Sequence, residues 1–328
     1  MSAVHRRRFA VLASALVAIG LLSAALPARA AFPDKPIRLV LGFPPGSATD
    51  VAARIIGSKM SEILGQQIVV DNKPGATTNI AGQQVARAAP DGYTLFMAGN
   101  TNAVNPSLLK NVPFDMARDF TPVGLAGSVA SILVVNPSLG VHSVPELTAL
   151  AKAQPGKIFF ASSGNGTMSH LSGELYGMST GTKLTHVAYK GSAQAVTDLL
   201  AGTVPVMFAP ASTVLPFIKG GKLIALATTG AQRSRIAPDL PTVAEAGVKG
   251  YDTRIWWGFV APAGTPAPVI KTLADALDKA IDAPEVKEQL LNQGIEPFKG
   301  DGKAFAAHMA AETKKWTQVV NTAGITPD

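Results

Sequence analysis

Along residues 37–98 the apolar positions switch repeatedly between two spacings. A continuous apolar run at 37–43 reads as a buried strand. A helical period follows at 48–64, placing Val51, Ile55, Met60, Ile63 and Leu64 on one face and Asp50, Arg54, Ser58 and Glu62 on the other. A strand at 67–70, a helix at 80–88, the turn Pro90-Asp91-Gly92 and a strand at 93–98 complete this series. Strands alternating with helices predict βαβ units around a parallel or mixed sheet.

The pattern then repeats. A strand at 132–135 precedes Ser143-Val144-Pro145-Glu146, a capping box with proline in the first turn; it opens a helix that Pro155-Gly156 ends. Strands at 157–161, 184–189, 204–208 and 223–228 interleave with helices at 169–178 and 192–201. An aromatic strand around Trp256-Trp257-Gly258-Phe259-Val260 and two amphipathic helices, at 268–282 and 303–322, close the chain. Two α/β lobes are expected. Periodicity leaves open whether the chain crosses between them once or twice.

The first thirty residues follow neither period. Arg6, Arg7 and Arg8 precede an uncharged stretch from Phe9 to Ala28 and an Ala28-Arg29-Ala30 end. That order describes a cleavable export signal, with Ala31 as the new N-terminus. Arg6-Arg7-Arg8-Phe9 also resembles the start of a twin-arginine signal. A membrane anchor is the competing expectation, because the 19 residues from Phe9 to Pro27 just reach across a bilayer. Their Ala- and Ser-rich character and the small-residue end favour removal.

Composition narrows the classes. With 47% apolar and 16% charged residues, a disordered chain or a coiled coil is excluded. Zero cysteines remove disulfides, thiolate metal sites and cysteine nucleophiles. The formal charge of +7 suggests a polyanionic partner until the signal is set aside. Four of the 29 basic residues and none of the 22 acidic ones lie in it, so the remainder carries +3. That charge fits small anions better than nucleic acid. No later apolar run reaches membrane-spanning length, so the processed chain is expected to be soluble.

Two strand-to-helix junctions carry candidate chemistry. One is Phe43-Pro44-Pro45-Gly46-Ser47-Ala48-Thr49-Asp50 and the other Ser162-Ser163-Gly164-Asn165-Gly166-Thr167-Met168-Ser169-His170. Glycine permits a close turn, and the first helical amides lack intrahelical acceptors, so such ends suit a phosphate or carboxylate. Ser47 and Ser169 acting only as internal caps is the alternative. Neither loop is a P-loop. Gly164-Asn165-Gly166 keeps two glycines of a dinucleotide fingerprint, but the next strand ends at Tyr189-Lys190 instead of an acidic residue, which leaves only an NADP-like reading open.

Other chemistries find less support. Gly177-Met178-Ser179-Thr180-Gly181 matches a nucleophile-elbow pattern but follows a helix, so its glycines read as helix ends. The five histidines, at 5, 142, 170, 186 and 308, have no metal-ligand spacing. Asp50 and Asp198 lie on helices without an identifiable partner, and Trp256-Trp257 reads first as packing between lobes, second as a stacking surface. No catalytic constellation and no cofactor site emerges.

Taken in order, several short segments resemble one family, the extracytoplasmic solute receptors of tripartite tricarboxylate transporters, often called Bug receptors. They are Phe43-Pro44-Pro45-Gly46 with Asp50 and Arg54, Asn72-Lys73-Pro74-Gly75-Ala76, Pro90-Asp91-Gly92-Tyr93-Thr94-Leu95, and Asp119-Phe120-Thr121-Pro122-Val123. Ser163-Gly164-Asn165-Gly166-Thr167 with His170, Tyr189-Lys190-Gly191, Pro241-Thr242-Val243-Ala244-Glu245-Ala246-Gly247 and Ala261-Pro262-Ala263-Gly264-Thr265-Pro266 continue the series.

The resemblance implies a type II periplasmic binding protein fold, two α/β lobes around a ligand cleft, with 31–130 plus 253–328 as one lobe and 131–252 as the other. It implies a monomer that binds a small carboxylate, with no nucleic acid and no cofactor, and delivers it to a two-component membrane permease. The expected ligand-binding set is Pro45, Gly46, Ser47, Ala48, Thr49, Asp50, Thr77, Thr78, Asn100 and Thr101 on one side. On the other side it is Ser163, Gly164, Asn165, Gly166, Thr167, His170, Tyr189 and Asp198. Asn102 is a further candidate. Ser47 and the pair Thr77-Thr78 stand where the family commonly has glycine, so added hydroxyls or a narrower pocket are expected there. An α/β enzyme acting on a small anion, or a sensor for a signalling partner, are the alternative functions.

Overall fold

The computed structural model describes residues 32–326; the expected signal at 1–30 lies outside them. Among the described residues eleven strands form two mixed sheets. The first holds β1 (Ile37–Leu41), β2 (Ile68–Asn72), β3 (Thr94–Gly99), β4 (Phe120–Val129), β10 (Ile255–Pro262) and β11 (Glu296–Asp301), in the order β11-β4-β10-β3-β1-β2. β1 runs parallel to β2 and β3, whereas β10 is antiparallel to β3 and β4. The second holds β5 (Ser131–Val135), β6 (Phe159–Ser162), β7 (Thr185–Ala188), β8 (Val206–Pro210) and β9 (Ile224–Thr228), in the order β7-β6-β8-β5-β9.

The chain passes between the sheets twice, through Ala130 between β4 and β5 and again between β9 and β10. Hydrogen bonds hold the two passages side by side: Thr229 N–H donates to Ser131 O (3.0 Å), and Thr253 N–H to Thr229 O (2.8 Å). The Thr229 hydroxyl adds a bond to Thr253 O (2.7 Å).

Among the described residues ten α-helices flank the sheets: α1 (Ala48–Leu64), α2 (Asn79–Ala86), α3 (Asn100–Leu108), α4 (Val144–Ala153), α5 (Met168–Thr180), α6 (Ser192–Ala201), α7 (Ala211–Lys219), α8 (Ala267–Asp282), α9 (Pro284–Asn292) and α10 (Gly302–Ala323). The Ser143 half of the predicted capping box of α4 is present, Ser143 Oγ accepting from Glu146 N–H, while the Glu146 carboxylate accepts from the N–H of His142, one residue before the cap. Gly181 ends α5 in the left-handed region (φ 64°), whereas Gly177 lies inside that helix and is no cap.

The buried face of α1 differs from the predicted one. Ala52, Ala53, Ile56, Gly57 and Met60 are buried with Asp50, while Ile63 is 36% exposed. Small side chains let α1 lie close to β2; a Cβ on Gly57 would stand 3.2 Å from Ile68. Of the predicted face only Met60 is fully buried, and the burial stripe is rotated toward Ala52, Ala53, Ile56 and Gly57.

Three packing clusters follow from the layers. Phe96, Phe120, Trp256, Phe305 and Trp316 belong to one beside the first sheet. Leu133, Phe160, Phe208 and Tyr251 belong to a second, and Ile132, Val134, Met207 and Leu199 to a third. The alternation Ile132/Leu133/Val134 sends neighbouring side chains of β5 to opposite faces, as strand geometry requires.

Candidate functional site

A cavity of about 570 Å³ lies between elements of the two sheets, where strands end and helices begin. Its lining includes Phe43, Pro44, Ser47, Ala48 and Thr49 after β1, and Pro74, Gly75, Thr77 and Thr78 after β2. Asn100, Thr101, Val104, Asn105 and Leu108 of α3 and Trp257 of β10 add to it. Across from them stand Ser131, Ser163, Asn165, Gly166, Thr167, Met168, Ser169, Phe208 and Pro210. Among the described residues no lysine or arginine is in this lining. A cavity of about 920 Å³ between the 106–118 connection and α10 contains none of the strand-to-helix loops.

Among the helices that begin at the cavity, α1, α3 and α5 differ in their first turns. In α1, Ser47 Oγ accepts from Asp50 N–H (3.2 Å), so this hydroxyl caps its own helix. Asp50 is 3% exposed. Its carboxylate accepts from Gly46 N–H (3.0 Å), Arg54 Nε (3.0 Å) and Nη2 (2.9 Å), and Asn72 Nδ2 (2.9 Å). Burial alone raises the Asp50 pKa, but the bonds from Arg54, Gly46 and Asn72 outweigh it and hold the carboxyl below its usual value. Asp50 therefore clasps the loop from behind and does not line the cavity. The Gly46 amide is engaged by Asp50, which leaves Ala48 and Thr49, the first helical residues, as the amides without an intrahelical acceptor.

The α5 end is less capped. Thr167 makes no side-chain cap; its hydroxyl donates to Gly164 O (2.7 Å). The amides of Met168 and Ser169 thus open the helix without a cap, beside the partial positive charge of the helix end. His170 sits behind this loop: its Nδ1 accepts from Gly166 N–H (3.1 Å), and its ring stacks on His186 at 3.6 Å. Gly164 N–H is engaged by Ser162 Oγ (3.1 Å). Tyr189 donates its hydroxyl to Asp198 (2.7 Å), and burial with that carboxylate pushes its pKa up to about 12. Pro45, Gly46, Asp50, Gly164, His170, Tyr189 and Asp198 are thus absent from the lining, whereas the other expected residues line it.

The α3 end is held by asparagines. Asn100 donates to Arg254 O (2.8 Å) and accepts from Trp256 N–H (2.6 Å), which seats the helix on the start of β10. Asn102 accepts from Gly99 N–H (2.9 Å) and donates to Thr78 Oγ1 (3.1 Å), so it braces the site without lining the cavity. Asn105 donates to Thr77 O and Asn79 Oδ1, both at 2.9 Å. These bonds anchor an unusual turn: Ala76, Thr77 and Thr78 have φ of 45°, 50° and 72°. The left-handed region costs a side-chain-bearing residue about 1–2 kcal/mol. Gly42 admits the turn, since a Cβ there would stand 2.3 Å from Thr78 Cβ.

Sequence reading missed the apolar part of the lining. Val104, Leu108, Phe208 and Ile255 look like core residues one at a time, because only the assembled cleft shows which apolar atoms face a void; Phe43 and Met168, inside the quoted junctions, and Trp257, read second as a stacking surface, line it too. The Trp256-Trp257 pair divides its work. Trp256 is fully buried and donates to Glu312 (3.1 Å), while Trp257 lines the cavity.

Comparison with known proteins matches this architecture. Residues 52–325 fit the family model described as tripartite tricarboxylate transporter family receptor. Protein BugT of Bordetella pertussis is 36% identical over 295 residues, covering 89% of this chain and 90% of that one. A solved structure of Rpa4515 from R. palustris with adipate is 36% identical, with a TM-score of 0.75, covering 90% of this chain and 100% of that one. MatC from Rhodopseudomonas palustris with bound malate is 29% identical, with a TM-score of 0.70, covering 88% of this chain and 100% of that one. The two sheets and the cleft between them are thus the two-lobed fold of the periplasmic solute-binding receptors, and the chain belongs to the tripartite tricarboxylate transporter receptor family.

Proposed function

We propose that this receptor binds a small carboxylate in the 570 Å³ cavity and presents it to a two-component membrane permease. The observation that carries the reading is that α1, α3 and α5 begin at a cavity whose lining, among the described residues, has no cationic side chain. An anion entering such a site exchanges water for backbone amides and helix-end charge. Each bond to a charged group contributes about 1.5–3 kcal/mol net, and each helix end about 0.3–1 kcal/mol. A few such contacts, less the ordering cost, reach the roughly −8 kcal/mol of a micromolar complex. The amides of Ala48, Thr49, Met168 and Ser169 are the proposed carboxylate donors. The ligand-bound relatives, one with adipate and one with malate, support this ligand class.

The strands β1–β4, β10 and β11 would move as one body against β5–β9, with the paired passages at Ala130 and Thr229–Thr253 as the hinge. Carboxylate contacts from both sides exist together only when the cleft is shut, so binding shifts the open–closed equilibrium by the ligand's differential affinity. The shut form would be what the permease recognises. Export through the signal at 1–30 places the processed receptor in the periplasm. Calorimetric titration of the processed protein with mono-, di- and tricarboxylates, paired with solution scattering, tests the reading. Binding with a reduced radius of gyration and unchanged acid recovered afterwards is expected. Binding at constant radius would refute closure, and chemical conversion of the acid would favour an enzyme.

A further inference from the structure

Three consecutive left-handed residues with side chains persist only where their surroundings over-determine them. Here the bonds come from one helix. Asn105, 2% exposed, grips the Thr77 carbonyl, and Asn102, 3% exposed, takes the Thr78 hydroxyl. The two threonines are consequently unlike. Thr78 is buried against Gly42 with its hydroxyl engaged, whereas Thr77 is exposed at the cavity wall and its hydroxyl has no hydrogen-bond partner among the described residues.

We propose that Thr77 is a specificity-determining residue whose hydroxyl reads a second polar group of the ligand, and that Asn105 is the positioning residue that holds it there. This rests on the receptor reading above, in which backbone amides hold the first carboxylate. Thr77 sits on a different loop from those amides, so it meets a part of the ligand distant from that carboxylate. A diacid or hydroxydiacid gains this contact; a monoacid of the same length does not.

The test is calorimetry on the processed protein with adipate and malate against their chain-length-matched monoacids, hexanoate and butyrate. Thr77→Ser should bind all four within about twofold of wild type. Thr77→Ala and Thr77→Gly should lose roughly tenfold on the diacids and less than about twofold on the monoacids. Thr77→Gly should melt at or above the wild-type temperature, because glycine adopts φ 50° without strain. A loss of affinity beside unchanged or greater stability separates the side chain's role from that of the turn. In an Asn105→Ala background the further change Thr77→Ala should cost less than about twofold, since the hydroxyl is no longer held in place. Equal losses on matched mono- and diacids, or no loss at all, overturn the assignment of Thr77. Full additivity with Asn105→Ala overturns the positioning role. If wild type binds none of the four acids, the receptor reading fails first and the Thr77 contact with it.

Discussion

At the scale of single residues, hydrogen bonding separates the groups that build the loops from those left for a ligand. Ser47 lines the cavity, yet its hydroxyl already caps α1. Ser47→Ala should therefore cost about 1 kcal/mol, a melting shift of about 2 °C, with ligand affinity nearly unchanged. A tenfold loss of affinity in a calorimetric titration would instead assign that hydroxyl to the ligand. Asp50 gives a pH signature. Its folded pKa is below the unfolded value of 3.8, so its stabilisation is complete above that value and is lost as pH falls through the lowered folded value. Thermal melts of wild type and Asp50→Asn should differ most near about pH 7 and converge as pH falls below the lowered folded value. A constant gap across that range contradicts the assignment.

Between elements, Gly166 approaches Leu108 of α3 across the cleft. A Cβ on Gly166 would stand 2.4 Å from Leu108 Cδ1, and its φ is +68°. Gly46, with φ +80°, has nothing within 4 Å of a built Cβ. The two glycines thus share a left-handed backbone that strains any substituted side chain, but they differ in crowding across the cleft. Gly166→Ala should weaken ligand binding several-fold more than Gly46→Ala, at similar losses of melting temperature. Adding Leu108→Ala to Gly166→Ala should restore part of the affinity. Equal effects at both glycines would mean that the two lips need not meet.

Across the whole molecule, Glu312 connects the long helix to the second passage between sheets. Its carboxylate, 6% exposed, accepts from the indoles of Trp256 (3.1 Å) and Trp316 (2.9 Å) and pairs with Lys315. Lys315 in turn donates to Asp252 O (2.9 Å), in the segment that returns the chain to β10. Glu312→Ala strands two buried indole donors and should destabilise by about 3 kcal/mol or more, read by denaturant unfolding together with a change in tryptophan emission. Glu312→Gln keeps an acceptor and should lose less. If both variants unfold like wild type, this cluster does not hold the helix to the passage.

The sequence determined what local physics determines. Alternating periods named most strands and helices, because apolar spacing is a property of neighbouring residues. The two glycine-marked junctions were legible for the same reason: a sharp turn before a helix needs glycine whatever surrounds it. What escaped depended on distant partners. β4 carries Pro122, Gly124 and Gly127, which argue against a strand, yet β10 and β11 pair it on both sides. α3 begins Asn-Thr-Asn and contains Pro106, so it lacks an amphipathic signal; its asparagines make sense only against Arg254, Trp256, Thr77 and Thr78. Asp50, His170 and Tyr189 looked ligand-facing by their place in the motifs, and their hydrogen bonds turn them toward Arg54, Gly166 and Asp198. Tertiary structure alone decided which side of each loop faces the void, because that choice is made by contacts between residues far apart in the chain.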